Sequence, residues 1–127
     1  MKEKAKLAAA LLAGIAVGAG AIGTLRAQGA KKPAYMIADV EITDQAAFSA
    51  YAAKVPETLK PFNGRIIVRG KPVPKEGNAP WGNIVVIAFD SLADAEKWYA
   101  SPAYAALIPE RQNSAETQLY FVEGLPQ

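Results

Sequence analysis

Residues Ala34–Ile42, "AYMIADVEI", decide the fold. Their period-2 alternation reads as a β-strand with two different faces. One face carries Met36, Ala38, Val40 and Ile42. The other carries Tyr35, Ile37, Asp39 and Glu41. The first set needs a core. The second mixes two carboxylates with a tyrosine and an isoleucine, which suits either solvent or a lined cavity.

Working outward, Thr43 or Asp44 is placed to cap a helix with Phe48, Tyr51, Ala52, Val55, Leu59 and Phe62 on one face. Pro56 falls inside it and predicts a kink or a second short turn. Asn63-Gly64 ends it. "RIIVR" (65–69) is a second strand, with Arg65, Ile67 and Arg69 opposite Ile66 and Val68. A Gly- and Pro-rich loop over 70–83 carries Trp81. "IVVIAF" (84–89) is apolar on both faces, as expected of a strand in the middle of a sheet. Ser91 and Asp94 resemble a capping box opening a second helix. Ser101-Pro102 is a further helix start, and "AYAALIPERQNSA" continues with Tyr104, Leu107, Ile108 and Arg111 at helical spacing. "TQLYFVE" (117–123) closes the pattern as strand four.

The order β-α-β-β-α-β defines an α+β, ferredoxin-like plan: a four-stranded antiparallel sheet with helices on one face. The helix-covered face is predicted to take Met36, Ala38, Val40, Ile42, Ile66 and Val68. The other face receives Tyr35, Ile37, Asp39, Glu41, Arg65, Ile67 and Arg69. At about 25 cal/mol per Å², leaving its apolar part wet forgoes several kcal/mol. A second copy of the same sheet is the simplest cover, so a homodimer enclosing a barrel-like interior is expected.

The 127 residues leave room for one domain, placed over 34–125 behind a linker at 30–33. The chain has no Cys and no His, which excludes disulfides, thiol nucleophiles, Cys/His metal sites and imidazole catalysis. No metal or cofactor is expected; neither a phosphate-binding loop nor a dinucleotide fingerprint occurs. Residues 1–30 carry four basic side chains against Glu3, whereas residues 31–127 carry 10 basic and 11 acidic ones. The folded part is nearly neutral and lacks the clustered basic face that nucleic-acid binding requires.

The start is different in kind. "MKEKAK" precedes an uncharged run from Leu7 to Leu25, followed by "RAQGAKKP". A basic head, an apolar centre and small residues after it form a signal-peptide layout over 1–29. The alternative is an uncleaved anchor over 7–25, because 19 residues at about 1.5 Å each nearly span a ~30 Å hydrocarbon core. Either reading predicts export, to the periplasm or beyond, or tethering to the membrane through that segment.

"AYMIADVEITD", "NGRIIVRG", "WGNIVVIAFDS", "AEKWYASPAYAALIPERQ" and "YFVEG" together resemble the domain-of-unknown-function family numbered 1330, over about 33–125. The family's frequent Gly-Gly before Arg or Lys is Asn63-Gly64-Arg65 here, and Asn can adopt the same left-handed turn. The resemblance implies the dimeric α/β-barrel superfamily. It implies no established activity, although relatives in that superfamily include cofactor-independent monooxygenases, muconolactone-isomerase-like enzymes and stress-responsive barrel proteins.

The candidate site residues follow from the uncovered face. Asp39 is placed to act as a base or ligand acceptor, with Arg65 or Arg69 as oxyanion partner. Tyr35, Asp39, Arg65, Arg69 and Trp81 are the candidate ligand-binding set, Trp81 as a lid or dimer contact. Trp98, Tyr99, Ser101 and Tyr104 weigh more towards core than site. The leading expectation is an exported homodimer that binds a small polar or aromatic molecule between its sheets. A cofactor-independent monooxygenase- or isomerase-like enzyme is one alternative, and a purely structural dimeric module is the other.

Overall fold

The computed structural model describes residues 31–127. The leader over 1–29, in either reading, lies outside them. Among the described residues no helix is long and apolar enough to cross a membrane.

Residues 32–126 form one unit. Its elements are β1 (Ala34–Ile42), α1 (Gln45–Leu59) with a 3-10 turn over Lys60–Phe62, β2 (Arg65–Gly70), β3 (Asn83–Phe89), α2 (Leu92–Ala100), α3 (Pro102–Ala105), α4 (Ile108–Ser114) and β4 (Ala115–Glu123). All strand pairs are antiparallel, in the spatial order β2-β3-β1-β4. β1 and β3 are central, which is why both are rich in β-branched and small apolar residues, and β2 is an edge.

Local chemistry accounts for the boundaries. Asp44 Oδ1 accepts from the Ala47 amide at 3.0 Å and Ser91 Oγ from the Asp94 amide at 3.1 Å, so each caps its helix as the sequence predicts. Asn63 leaves α1 in the left-handed region at φ 53°. Two expectations change. Pro56 does not interrupt α1, which runs on to Leu59; the ring costs the Ala52 carbonyl its usual donor instead. The stretch after Ser101 is two helices, because Pro109 is tolerated only in a first turn and the chain restarts at Ile108.

The register divides the sheet into faces. Met36 lies between Ile87 and Phe121, and Ala38 between Val85 and Leu119, on the side that the helices cover. Met36, Ala38, Val40, Ile87 and Phe89 are buried there against Tyr51, Val55 and Leu59 of α1 and Trp98 of α2. Ile37, Val86 and Tyr120 face the other way.

A β-bulge corrects the predicted faces of β2. Ile66 pairs with Ile87, but Val68 pairs with Val86, so Ile67 is an extra residue without a partner. One extra residue exchanges the faces beyond it. Val68 therefore joins the open face beside Val86, and Arg69, opposite Val85, turns to the helix-covered side. Strict alternation assigned both to the opposite faces.

The open face remains apolar. Val68 is 42% exposed, Val122 45% and Tyr120 54%. No described element of the chain lies over them.

Candidate functional site

The cavity of interest lies on the helix-covered side of the sheet, not on the open face. A half-enclosed cavity of about 530 Å³ lies between α1 and the covered face of the sheet. Its floor crosses all four strands, with Ile66 of β2, Val85 of β3, Ala38 and Val40 of β1, and Leu119 of β4. Its roof is the inner side of α1, with Phe48, Ala52, Val55 and Pro56. Ala38 and Ala52 supply small side chains where larger ones would fill the space. Strands about 4.8 Å apart make the floor about 14 Å wide from β2 to β4.

One end of the cavity is polar. Tyr51 of α1, Tyr104 of α3 and Arg111 of α4 all reach it. The Tyr51 and Tyr104 hydroxyls are 2.7 Å apart, and Arg111 Nη1 donates to the Tyr104 hydroxyl at 2.7 Å. Trp98 closes the wall behind them. Its ring centroid is 4.1 Å from that of Tyr104, and its Nε1–H donates to Thr58 Oγ1 at 2.9 Å. The Thr58 hydroxyl in turn donates to the Val55 carbonyl at 2.7 Å. Each aromatic polar atom in this wall thus has a partner.

Two polar atoms do not. Arg111 Nε and Thr117 Oγ1 are buried without a hydrogen-bond partner, and both residues line the cavity. Arg111 is only 7% exposed. It is absent from the ion pairs among the described residues, which are Lys54–Glu110, Lys60–Glu57 and Arg65–Asp90. No Asp or Glu lines the cavity.

The electrostatics follow from burial. Desolvation raises the Tyr51 pKa, and the neighbouring Tyr104 adds to it, outweighing the opposing effect of Arg111. Tyr51 therefore stays a neutral hydroxyl at physiological pH. Burial acts to lower the Arg111 pKa, but the hydroxyls of Tyr104 and Tyr99 facing it outweigh that, and the net displacement is upward. The cavity end is a fixed cation flanked by tyrosine hydroxyls. It can bind an oxygen anion or a carbonyl. No carboxylate or imidazole lines it.

The residues singled out in the sequence do not converge. Tyr35 sits half-buried on the open face between Ala88 and Val122. Asp39, on the same face, accepts from the Trp81 amide at 3.0 Å and the Gly82 amide at 2.7 Å, so its carboxylate clamps the β2–β3 loop. Gly82 has to be glycine there, because a Cβ would collide with the Val40 carbonyl. Trp81 is carried on that loop and is 74% exposed. Arg65 donates to the Asn63 carbonyl at 2.6 Å and pairs with Asp90 at 3.4 Å. Only Arg69, turned by the bulge, lines the cavity. Among the described residues no group of three or more His, Cys, Asp or Glu could hold a metal ion.

The strongest polar group of the site, Arg111, was visible in the sequence only as a helical neighbour of Tyr104. Its signal was a seven-residue spacing from Tyr104. The helix break between them hides that signal, because spacing alone carries no weight across a restart.

An antiparallel four-stranded sheet, helices on one face and a cavity beneath the first helix define an α+β protein of ferredoxin-like fold. The chain belongs to the domain of unknown function family DUF1330, whose model matches residues 33–125. No curated protein matches it. Among solved structures, it is similar to a protein of unknown function from Rhodopseudomonas palustris, with a TM-score of 0.63 and 16% identity over 87% of this chain and 95% of that one. It is similar to SnoaB, a cofactor-independent oxygenase from Streptomyces nogalater, with a TM-score of 0.53 and 9% identity over 77% and 97%. A dimeric protein of unknown function and ferredoxin-like fold from Bacteroides fragilis matches with a TM-score of 0.50 and 12% identity over 72% and 95%. At these identities the likeness is one of fold.

Proposed function

We propose that this protein binds a small, largely apolar organic molecule in the cavity between α1 and the sheet. The observation that carries this reading is the cavity itself. Space of about 530 Å³ inside so small a core is of the size and character of a ligand site, with apolar walls and a few polar groups gathered at one end. A close-packed interior leaves few voids much larger than a water molecule, so a fold with no use for the space has every reason to fill it.

The second reading, an oxygenase- or isomerase-like enzyme, is favoured by the fold it shares with SnoaB. Against it, neither Tyr51 nor Arg111 can serve as a base, and Asp39 has both oxygens engaged on the other side of the sheet. An enzyme of this design would need a substrate that arrives already ionised.

Two further parts belong to the proposal. Self-association through the open face is supported by the exposed Val68, Tyr120 and Val122, and by the dimeric state of the Bacteroides fragilis protein. Export is supported by the sequence of residues 1–29 alone.

Native mass spectrometry of the purified protein tests ligand binding and self-association together. The expected spectrum shows a dimer carrying a small-molecule adduct, or one that takes up an added aromatic ligand. A monomer with no adduct and no uptake at millimolar ligand overturns the reading.

A further inference from the structure

We infer that the ligand of this cavity is a carboxylate, paired with the buried guanidinium of Arg111. The inference rests on the binding role proposed above and adds the chemical class.

A guanidinium remains charged under all physiological conditions. When buried, it is normally matched by a carboxylate, because an unpaired charge away from water is strongly unfavourable. Arg111 is buried and none of the ion pairs among the described residues includes it. Its Nη1 donates to Tyr104 and the Tyr99 hydroxyl faces it as well, but neither tyrosine carries a counter-charge, and Nε has no partner. A carboxylate supplies that charge and grips a guanidinium through parallel N–H···O bonds.

Thr117 offers the second orphaned polar atom in the same cavity. The two residues flank the junction where α4 ends at Ser114 and β4 begins at Ala115. Each unsatisfied buried atom calls for a partner. Tyr51 adds a third contact. If Tyr104, already accepting from Arg111, donates to the Tyr51 oxygen, the Tyr51 proton is free to point at the ligand. The few free donors suit the two oxygens of a carboxylate better than a phosphate, which would leave oxygens unmet.

The rest of the cavity agrees. No acidic side chain lines it, and Arg69 gives it a second positive charge. Phe48, Trp98 and the aliphatic floor suit an aromatic or alicyclic body behind the anionic head.

The test compares 2-naphthoate with its neutral isostere 2-naphthamide on the intact protein. Two resonances report: the Trp98 indole Nε1–H, in the cavity wall, and the Arg111 Nε–H. With the acid, both should shift, the Arg111 proton downfield, and the acid should bind at least about tenfold more tightly than the amide. Arg111→Gln should reduce that preference to about twofold or less, Arg111→Lys should retain part of it, and Thr117→Val should weaken the acid a few-fold in a fully folded domain. Equal binding of acid and amide, or a preference that survives Arg111→Gln, overturns the carboxylate inference but leaves the cavity as a binding site. If neither compound moves the Trp98 resonance at millimolar concentration, the binding role falls and the carboxylate inference falls with it.

Discussion

Replacing Asp39 with Ala removes the acceptor for two backbone amides, those of Trp81 at 3.0 Å and Gly82 at 2.7 Å. A hydrogen bond to a charged acceptor contributes about 1.5–3 kcal/mol when desolvated, and partial exposure reduces each of these substantially. Together they hold the end of the β2–β3 loop by about 2 kcal/mol. The loop is an exposed segment that can open without the sheet unfolding, so the loss should appear locally. Native-state hydrogen exchange is the assay. At 1.36 kcal/mol per factor of ten, the Trp81 and Gly82 amides should exchange about 30-fold faster in Asp39→Ala. The Ile37 amide, in the centre of the sheet, should change far less. Asp39→Asn should loosen the loop too, because an amide offers one acceptor oxygen where two N–H groups need one each. Affinity for 2-naphthoate should stay as it is, since Asp39 lies on the face away from the cavity. If the loop amides keep their protection, the clamp is not what holds the loop. If affinity collapses while protection holds, Asp39 acts at a ligand and the cavity has been assigned to the wrong side of the sheet.

Deleting Ile67 should be tolerated, with Tm falling by less than about 5 °C on thermal denaturation, because the extra residue is 53% exposed and its removal leaves Val68 and Arg69 on their present faces; unfolding would show that the bulge is required. Tyr51 holds its proton to a pKa raised by burial and by Tyr104, whereas the unfolded chain releases it near pH 10. That contribution is complete below about pH 10 and is lost as pH rises further, so urea unfolding at pH 8 and 10.5 should show a smaller drop for Tyr51→Phe than for the parent. An identical drop would mean that Tyr51 ionises freely in the folded protein. Val86→Asp places a charge between Ile37 and Val68 in the middle of the open face, and should convert a dimer to a folded monomer by light scattering; a variant that stays dimeric would move the interface elsewhere.

How much was legible in the sequence can be judged from particular strands. β1 was readable in its extent, because Met36, Ala38, Val40 and Ile42 keep one face apolar along the strand. Caps were readable too, since Asp44, Ser91 and Ser101 act on amides three residues away and need no knowledge of the rest of the chain. β2 was not. A bulge depends on how one strand meets its neighbour, and nothing within "RIIVRG" marks Ile67 as the extra residue. That one residue decides whether Arg69 faces the open side of the sheet or the cavity. The cavity was hidden for a similar reason. Tyr51, Tyr104, Arg111 and Thr117 are far apart or separated by helix breaks, and each reads as ordinary core or surface until the fold brings them together. Asp39 drew attention because a carboxylate within a strand is conspicuous, yet its partners are backbone amides 42 and 43 residues away, which no side-chain pattern reveals.

The two sides of the sheet therefore answer different needs, and the sequence mixed their signals. The open face carries apolar residues with no described element above them, the kind of surface that a second sheet would cover. The covered face has its cover and is still not full. Its deficit is chemically specific: a buried cation, an orphaned hydroxyl and a wall of satisfied aromatics around empty space. Larger apolar residues at Ala38 and Ala52 would narrow the space, and an acidic residue beside Arg111 would neutralise it. Retaining both the void and the unpaired charge lowers stability unless something else supplies the volume and the counter-charge. A small organic acid does both at once, whereas dimerisation through the opposite face does neither.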